Sequence, residues 1–153
     1  MSAARGFRYA LDPVRQQRQW KLEAAQTQLA KLQAERAACA KRIAELEAAC
    51  ARDAAAAAQA WLKVRDPASK TAALAFLARL QREAQSARDE AQRIDRELGE
   101  AREECAARQR ESEAMEQHRD DALRAHRTEL QRRASVQADA DWSARGHSMG
   151  DGT

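Results

Sequence analysis

The chain has 153 residues, of which 33% are charged and 4% aromatic, with Gly 5 and Pro 2. So few turn-forming residues, in a chain rich in Ala, Arg, Glu and Gln, indicate long helices and exclude a compact globular core. The formal net charge of +3 is too small to indicate nucleic-acid binding by charge alone.

Residues 1–11 are predicted to form a separate N-terminal segment, after which Asp12 and Pro13 suit the start of a helix. Bulky and basic side chains are crowded in this segment and in the first turns of the following helix, among them Phe7, Tyr9, Leu11, Arg15, Arg18 and Lys21. Two interpretations are open. The aromatic side chains hold the chain ends together, or the cluster docks into an acidic or carbonyl-lined partner.

The first arm is predicted over residues 12–64, because apolar residues there recur at alternating spacings of three and four. The positions in this phase are Leu22, Ala25, Leu29, Leu32, Arg36, Cys39, Ile43, Leu46, Cys50, Asp53, Ala57, Ala60 and Val64. Arg36 and Asp53 are its two charged members. A charge at such a position lowers the stability of a coiled coil but can fix its register.

A turn is predicted over residues 65–69, where Asp66 can cap a new helix that begins at Pro67 or just after it. The second arm, over residues 68–140, continues the heptad pattern. Its positions are Ala73, Leu77, Leu80, Ala84, Ala87, Ala91, Ile94, Leu98, Ala101, Cys105, Arg108, Ser112 and Met115, followed by a slip to Leu123, His126 and Leu130. Residues 141–153 lack periodicity and are predicted to be a disordered tail.

These patterns predict an all-α protein, an elongated antiparallel two-helix coiled-coil hairpin. Matching large with small residues places Ile43 opposite Ile94 and Leu46 opposite Ala91. Cys39, Cys50 and Cys105 do not meet in this register, so no intrachain disulfide is expected.

No enzyme is predicted, because the sequence contains no phosphate-binding loop and no combination of nucleophile and base. His118 and His126 are eight residues apart, which is not the spacing of a helical metal pair, and no cofactor is expected. The absence of a signal peptide or a long apolar run indicates a cytoplasmic protein.

The N-terminal pattern Phe7-x-Tyr9-x-Leu11-x-x-Val14-x-x-x-Arg18 runs directly into a long heptad helix. This start resembles that of the FliJ/YscO family, the coiled-coil stalk proteins of flagellar and injectisome type III secretion systems. The overall length and the central hairpin turn are also similar. Pro13 departs from the family pattern, because proline is unusual so early in the first helix.

The resemblance implies a monomeric protein at the cytoplasmic face of the secretion apparatus. Its open end would sit in the pore of a hexameric secretion ATPase, through the docking candidates Phe7, Tyr9, Leu11, Arg15, Arg18 and Lys21. Near the turn it would contact the export-gate membrane protein, through the candidates Trp61 and Phe76, and in some members substrate chaperones. No nucleic acid and no membrane insertion are implied.

A different class of protein, a structural coiled-coil scaffold that dimerises and has no ATPase partner, would show the same heptads. A basic-zipper DNA-binding protein is disfavoured, because it needs one uninterrupted helix in a parallel dimer, and Pro67 interrupts this chain.

Overall fold

A computed structural model describes residues 6–63 and 66–150 of the chain, with side chains through residue 148. Two helices account for nearly all of them: α1 spans Asp12–Lys63 and α2 spans Pro67–Gly150. The predictions that concern residues 1–5, Val64, Arg65 and 151–153 lie outside the described residues. The predicted all-α two-helix hairpin is confirmed.

Local interactions fix where each helix begins. The amide of Asp12 donates to the Tyr9 carbonyl at 3.1 Å, at the first residue of α1. The Asp66 carboxylate accepts a hydrogen bond from the Ala68 amide at 3.1 Å, as expected of an N-cap residue. Pro67 is the first residue of α2, where a missing N–H costs nothing.

Contacts divide the chain into two compact units. The terminal unit comprises Met1–Leu22 and Arg108–Thr153, and the turn unit comprises Glu23–Ala107. Within the turn unit, Arg36 of α1 pairs with Asp95 of α2, and Glu47, further along α1, pairs with Arg88, which comes before Asp95 in α2. The two helices are therefore antiparallel there. The same reversed order is found within the terminal unit, where contacts cross from α1 to the C-terminal part of α2.

Two apolar clusters form the core of the turn unit. Leu32, Ile94 and Leu98 make up the first, and Leu46, Leu80 and Ala84 the second. All six side chains are at most 8% exposed and all occupy predicted seam positions, so the predicted phase agrees with the burial. Cys39, Cys50 and Cys105 are free thiols at half-buried seam positions.

The predicted pairing across the seam was wrong by about one heptad. Leu46 packs with Leu80 and Ala84 rather than Ala91, and Ile94 clusters with Leu32 rather than Ile43. The turn sets this register: Leu46 lies 17 residues before the end of α1 and Ala84 lies 17 residues after the start of α2. Because the seam repeats every seven residues, moving one helix by seven residues along the other pairs large with small side chains almost equally well.

The predicted bounds of the second arm also differ from those of α2. Helix α2 continues to Gly150, where the sequence placed the end of the arm at residue 140. The buried Ser112 and the half-buried Met115, Arg119, Ala122 and His126 continue the earlier phase. Of the predicted slip positions, Leu123 and His126 are half-buried and Leu130 is 40% exposed. The slip was inferred from large apolar residues, and in this part of α2 Leu123 shares the half-buried face with polar side chains and alanine.

The two charged seam residues of α1, Arg36 and Asp53, differ in their partners. The Arg36 guanidinium donates to the Asp95 carboxylate at 2.7 Å, and both side chains are partly exposed. Asp53 is half-buried and makes no hydrogen bond or ion pair with any described residue. A desolvated and unpaired carboxylate at a seam position lowers the stability of the folded state.

We therefore expect Asp53→Leu to raise the free energy of unfolding by about 1–2 kcal/mol, because it removes that charge and adds buried apolar area. Arg36→Leu should raise it less, since the ion pair with Asp95 is lost. Urea titration followed by circular dichroism measures both effects. An unchanged or lower stability of Asp53→Leu would show that residue 53 lies outside the seam.

Candidate docking site

The N-terminal segment is held on α2 by two aromatic–histidine contacts within the terminal unit. The rings of Phe7 and His126 lie with centroids 5.5 Å apart, and those of Tyr9 and His118 5.6 Å apart. The Tyr9 hydroxyl and His118 Nδ1 are separated by 2.6 Å, a hydrogen-bond distance. Phe7 and Tyr9 therefore join the segment to α2, the first of the two roles that the sequence left open.

The arginines of the candidate site bridge the two helices of the terminal unit. Arg15 donates to Asp12 at 2.8 Å and to Glu116 at 2.9 Å. Arg18 donates to Glu111 at 2.7 Å, and the Arg15 and Arg18 side chains are only 30% and 36% exposed. Each guanidinium is thus paired with carboxylates of the protein, which the sequence alone did not predict.

Glu111 accepts hydrogen bonds from both helices of the terminal unit, from Arg18 of α1 and Arg108 of α2. Hydrogen bonds from Arg108 and Arg18 lower the pKa of its carboxyl, with Arg108 the larger cause. Next to it, Ser112 is 8% exposed, and its hydroxyl donates to the Gln19 side-chain oxygen at 3.2 Å. Polar contacts therefore replace the leucine packing of the turn unit at this part of the seam.

Near the start of α1, the exposed groups of the terminal unit include Lys21, Arg8, Trp20 and Leu11. Lys21 and Arg8 are exposed and pair with no described residue. Trp20 is 66% and Leu11 41% exposed. Arg8 and Trp20 were not among the predicted docking residues. Trp20 was recognisable, since it lies two residues before the seam residue Leu22, on the outer face of a heptad helix.

Within the turn unit, Trp61 and Phe76 each lie under a cation. Lys70 Nζ is 5.9 Å from the centroid of the Trp61 ring, and the Arg79 guanidinium is 5.0 Å from that of Phe76. Trp61 is half-buried and Phe76 is 42% exposed. Two leucines that the sequence did not single out are more exposed, Leu62 at 81% and Leu74 at 56%. The turn unit therefore presents apolar side chains near the end of α1 and near the start of α2.

Comparison with protein-family models gives no match, and comparisons with curated proteins and with solved structures give no significant match. Over the described residues, neither helix has a stretch that is both long and apolar enough to cross a membrane. Within the same residues, no three His, Cys, Asp or Glu side chains are grouped as a metal site would require. The class that the fold defines is that of two-helix hairpin proteins.

The lowered pKa of Glu111 gives a direct test of the bridge from Arg18. A depressed carboxyl pKa stabilises the fold above the unfolded value of about 4.3, and this contribution is lost as the pH falls through the folded pKa. Arg18→Gln should raise the pKa of Glu111 only partway, because Arg108 remains beside it. An NMR titration of the side-chain carboxyl carbons measures this change.

Glu129 is the internal control for that titration. Its pKa is lowered to about 2 by Arg132 and Arg133, and neither of these depends on Arg18. The pKa of Glu129 should therefore stay where it is in Arg18→Gln. A pKa of Glu111 that does not move would show that the bridge is absent in solution.

Proposed function

We propose that the protein is the stalk-like accessory subunit of a type III secretion system. In this proposal the terminal unit docks into the pore of the hexameric secretion ATPase, and the turn unit contacts the export-gate membrane protein and substrate chaperones. The protein acts as a monomer, without catalysis or a cofactor of its own. It is cytoplasmic and associates peripherally with the secretion apparatus at the inner membrane.

The proposal rests on the contacts that join the two helices of the terminal unit and on the side chains that this unit exposes. Helix α1 and the segment before it are held on α2 by Phe7, Tyr9, Arg15 and Arg18. The terminal unit therefore presents both helices of the hairpin together. Lys21 and Arg8 remain available as cations, and Trp20 as an exposed aromatic side chain. Exposed cations steer docking onto an acidic or carbonyl-lined surface, and a nearby aromatic side chain supplies apolar contact area.

The resemblance of the N-terminal pattern to the FliJ/YscO family supports the same assignment. The members of the pattern have distinct roles here: Phe7 and Tyr9 contact histidines of α2, and Arg18 pairs with Glu111. The two-helix hairpin is also the fold that the resemblance implies.

A pull-down with the secretion ATPase from the same genome tests the proposal. We expect the tagged chain to retain the ATPase and to stimulate its hydrolysis of ATP, and we expect the free chain to sediment as a monomer. A stable dimer that neither binds nor stimulates the ATPase would instead identify a structural scaffold.

A further inference from the structure

A row of glutamates follows one flank of α2 in the turn unit. Glu83, Glu90, Glu97 and Glu104 recur every seven residues, so they occupy one heptad position, each directly before a seam residue. The corresponding flank of α1 carries Gln28, Glu35 and Arg42, again seven residues apart. We call these two rows together the acidic flank.

Two open grooves lie along the acidic flank, and equivalent positions of successive heptads line them. The floor of the first is made by Ala38, Cys39, Ala87 and Ile94, and that of the second by Leu32 and Ala101. Small side chains leave this side of the seam unfilled. The helix backbones also approach closely here, since the Cys39 thiol lies 3.1 Å from the Ala87 carbonyl oxygen, to which it donates.

The α2 rim of each groove is acidic, and the α1 rim adds Glu35 to the first groove. Glu35, Glu83 and Glu90 line the first groove beside a single cation, Arg42. The second groove is lined on the α2 side by Glu97, Glu100 and Glu104 and on the α1 side by the neutral Gln28, with no cation. An apolar floor beside a continuous acidic rim is the shape and charge that a basic amphipathic helix fits.

The hairpin itself satisfies only part of this charge. Glu83 pairs with Arg42 at 3.5 Å and with Arg79 at 3.8 Å, and Arg93 bridges Glu90 and Glu97. Glu35 and Glu100 form no hydrogen bond or ion pair with any described residue. Glu35 also shares the first groove with Glu90 from the facing helix, where a lysine or arginine would stabilise the hairpin better.

We propose that the acidic flank binds a basic amphipathic helix of another protein, which lies along the two grooves as a third helix of the coiled coil. Its apolar stripe contacts the floor, and lysine or arginine side chains at seven-residue intervals pair with the glutamates of the rims. This site is in the turn unit, and it depends neither on Lys21 and Arg8 nor on binding to an ATPase.

A synthetic peptide of about four heptads, with leucine in its seam stripe and lysine on both flanks, is the probe. The full chain should bind it with an affinity that falls as salt rises. In Glu35→Gln/Glu100→Gln, binding should weaken about tenfold, because two uncompensated rim charges are lost. Neither carboxylate has a partner among the described residues, so circular dichroism should show unchanged helix content. Isothermal titration calorimetry gives the affinities.

The matched control is Asp89→Asn/Glu103→Gln, which removes the same charge from exposed positions of α2 that do not line either groove. It should change the affinity by less than about twofold. A peptide of the same composition with a central proline, which interrupts the helix, should bind far more weakly. The proposal is overturned if both pairs of substitutions weaken binding equally, or if the proline peptide binds as well. A dimer of the chain that Glu35→Gln/Glu100→Gln dissociates would also overturn it, since the occupant would then be a second copy.

Discussion

Replacing Arg15, Arg18 and Lys21 together with glutamate is expected to abolish stimulation of the secretion ATPase and to block secretion. Lys21 would lose the charge that we propose steers docking. At positions 15 and 18, glutamate would face Glu116 and Glu111 across the terminal unit. Repulsion at two former ion pairs should loosen the terminal unit, although glutamate itself favours helix. Hydrogen exchange of residues 7–22 should report the loosening, and an ATP hydrolysis assay the functional loss.

A second variant separates docking from this structural effect. Arg8→Glu/Lys21→Glu breaks no ion pair with a described residue, so thermal stability should stay unchanged. Its affinity for the ATPase should nevertheless fall about tenfold, and the wild-type affinity should fall as salt rises. Lys31→Glu/Lys41→Glu makes the same change in charge at exposed sites of the turn unit and should bind normally. If Arg8→Glu/Lys21→Glu binds like wild type, the N-terminal cluster only joins the chain ends.

Trp61→Ala/Phe76→Ala is expected to remove binding to the export gate and to spare binding to the ATPase. Both rings belong to the turn unit, where Lys70 and Arg79 lie over them and Phe76 is 42% exposed. Exposed aromatic side chains dominate the energy of many interfaces, so truncation should weaken gate binding at least about tenfold. Surface plasmon resonance with the cytoplasmic domain of the gate protein measures the loss.

The matched control for this pair is Trp142→Ala. Trp142 is 76% exposed and belongs to the terminal unit, so its removal should leave gate binding unchanged. The two functional defects must separate: the double alanine variant should stimulate the ATPase normally. Loss of both interactions in one variant would contradict the assignment of the gate contact to the turn unit.

The sequence predicted the fold well because apolar periodicity and proline chemistry are local signals. Leu32, Leu46 and Leu98 lie at the seam positions that the heptads predict, and Pro67 begins α2 as its ring requires. The pairing of Leu46 was missed, because it depends on the length of the turn and a seven-residue repeat does not report that length.

The candidate site was harder to predict, because the role of a charged residue depends on its neighbour across the seam. Arg15 and Arg18 carry the same local signal as Lys21, yet only the first two meet Glu116 and Glu111. The partners are more than 90 residues away in sequence, at 101 and 93 positions. Polar pairs so far apart follow from the register, which composition and spacing did not determine.

Site-specific photocrosslinking to the ATPase tests most directly whether the terminal unit is the docking end. A photoreactive amino acid replaces Arg8, Lys21, Trp61 or Phe76 in turn, and the products formed with the assembled hexamer are mapped by mass spectrometry. We predict crosslinks to residues lining the ATPase pore from positions 8 and 21, and none from positions 61 and 76. Crosslinks from positions 61 and 76 alone, or from none of the four, would contradict the docking of the terminal unit.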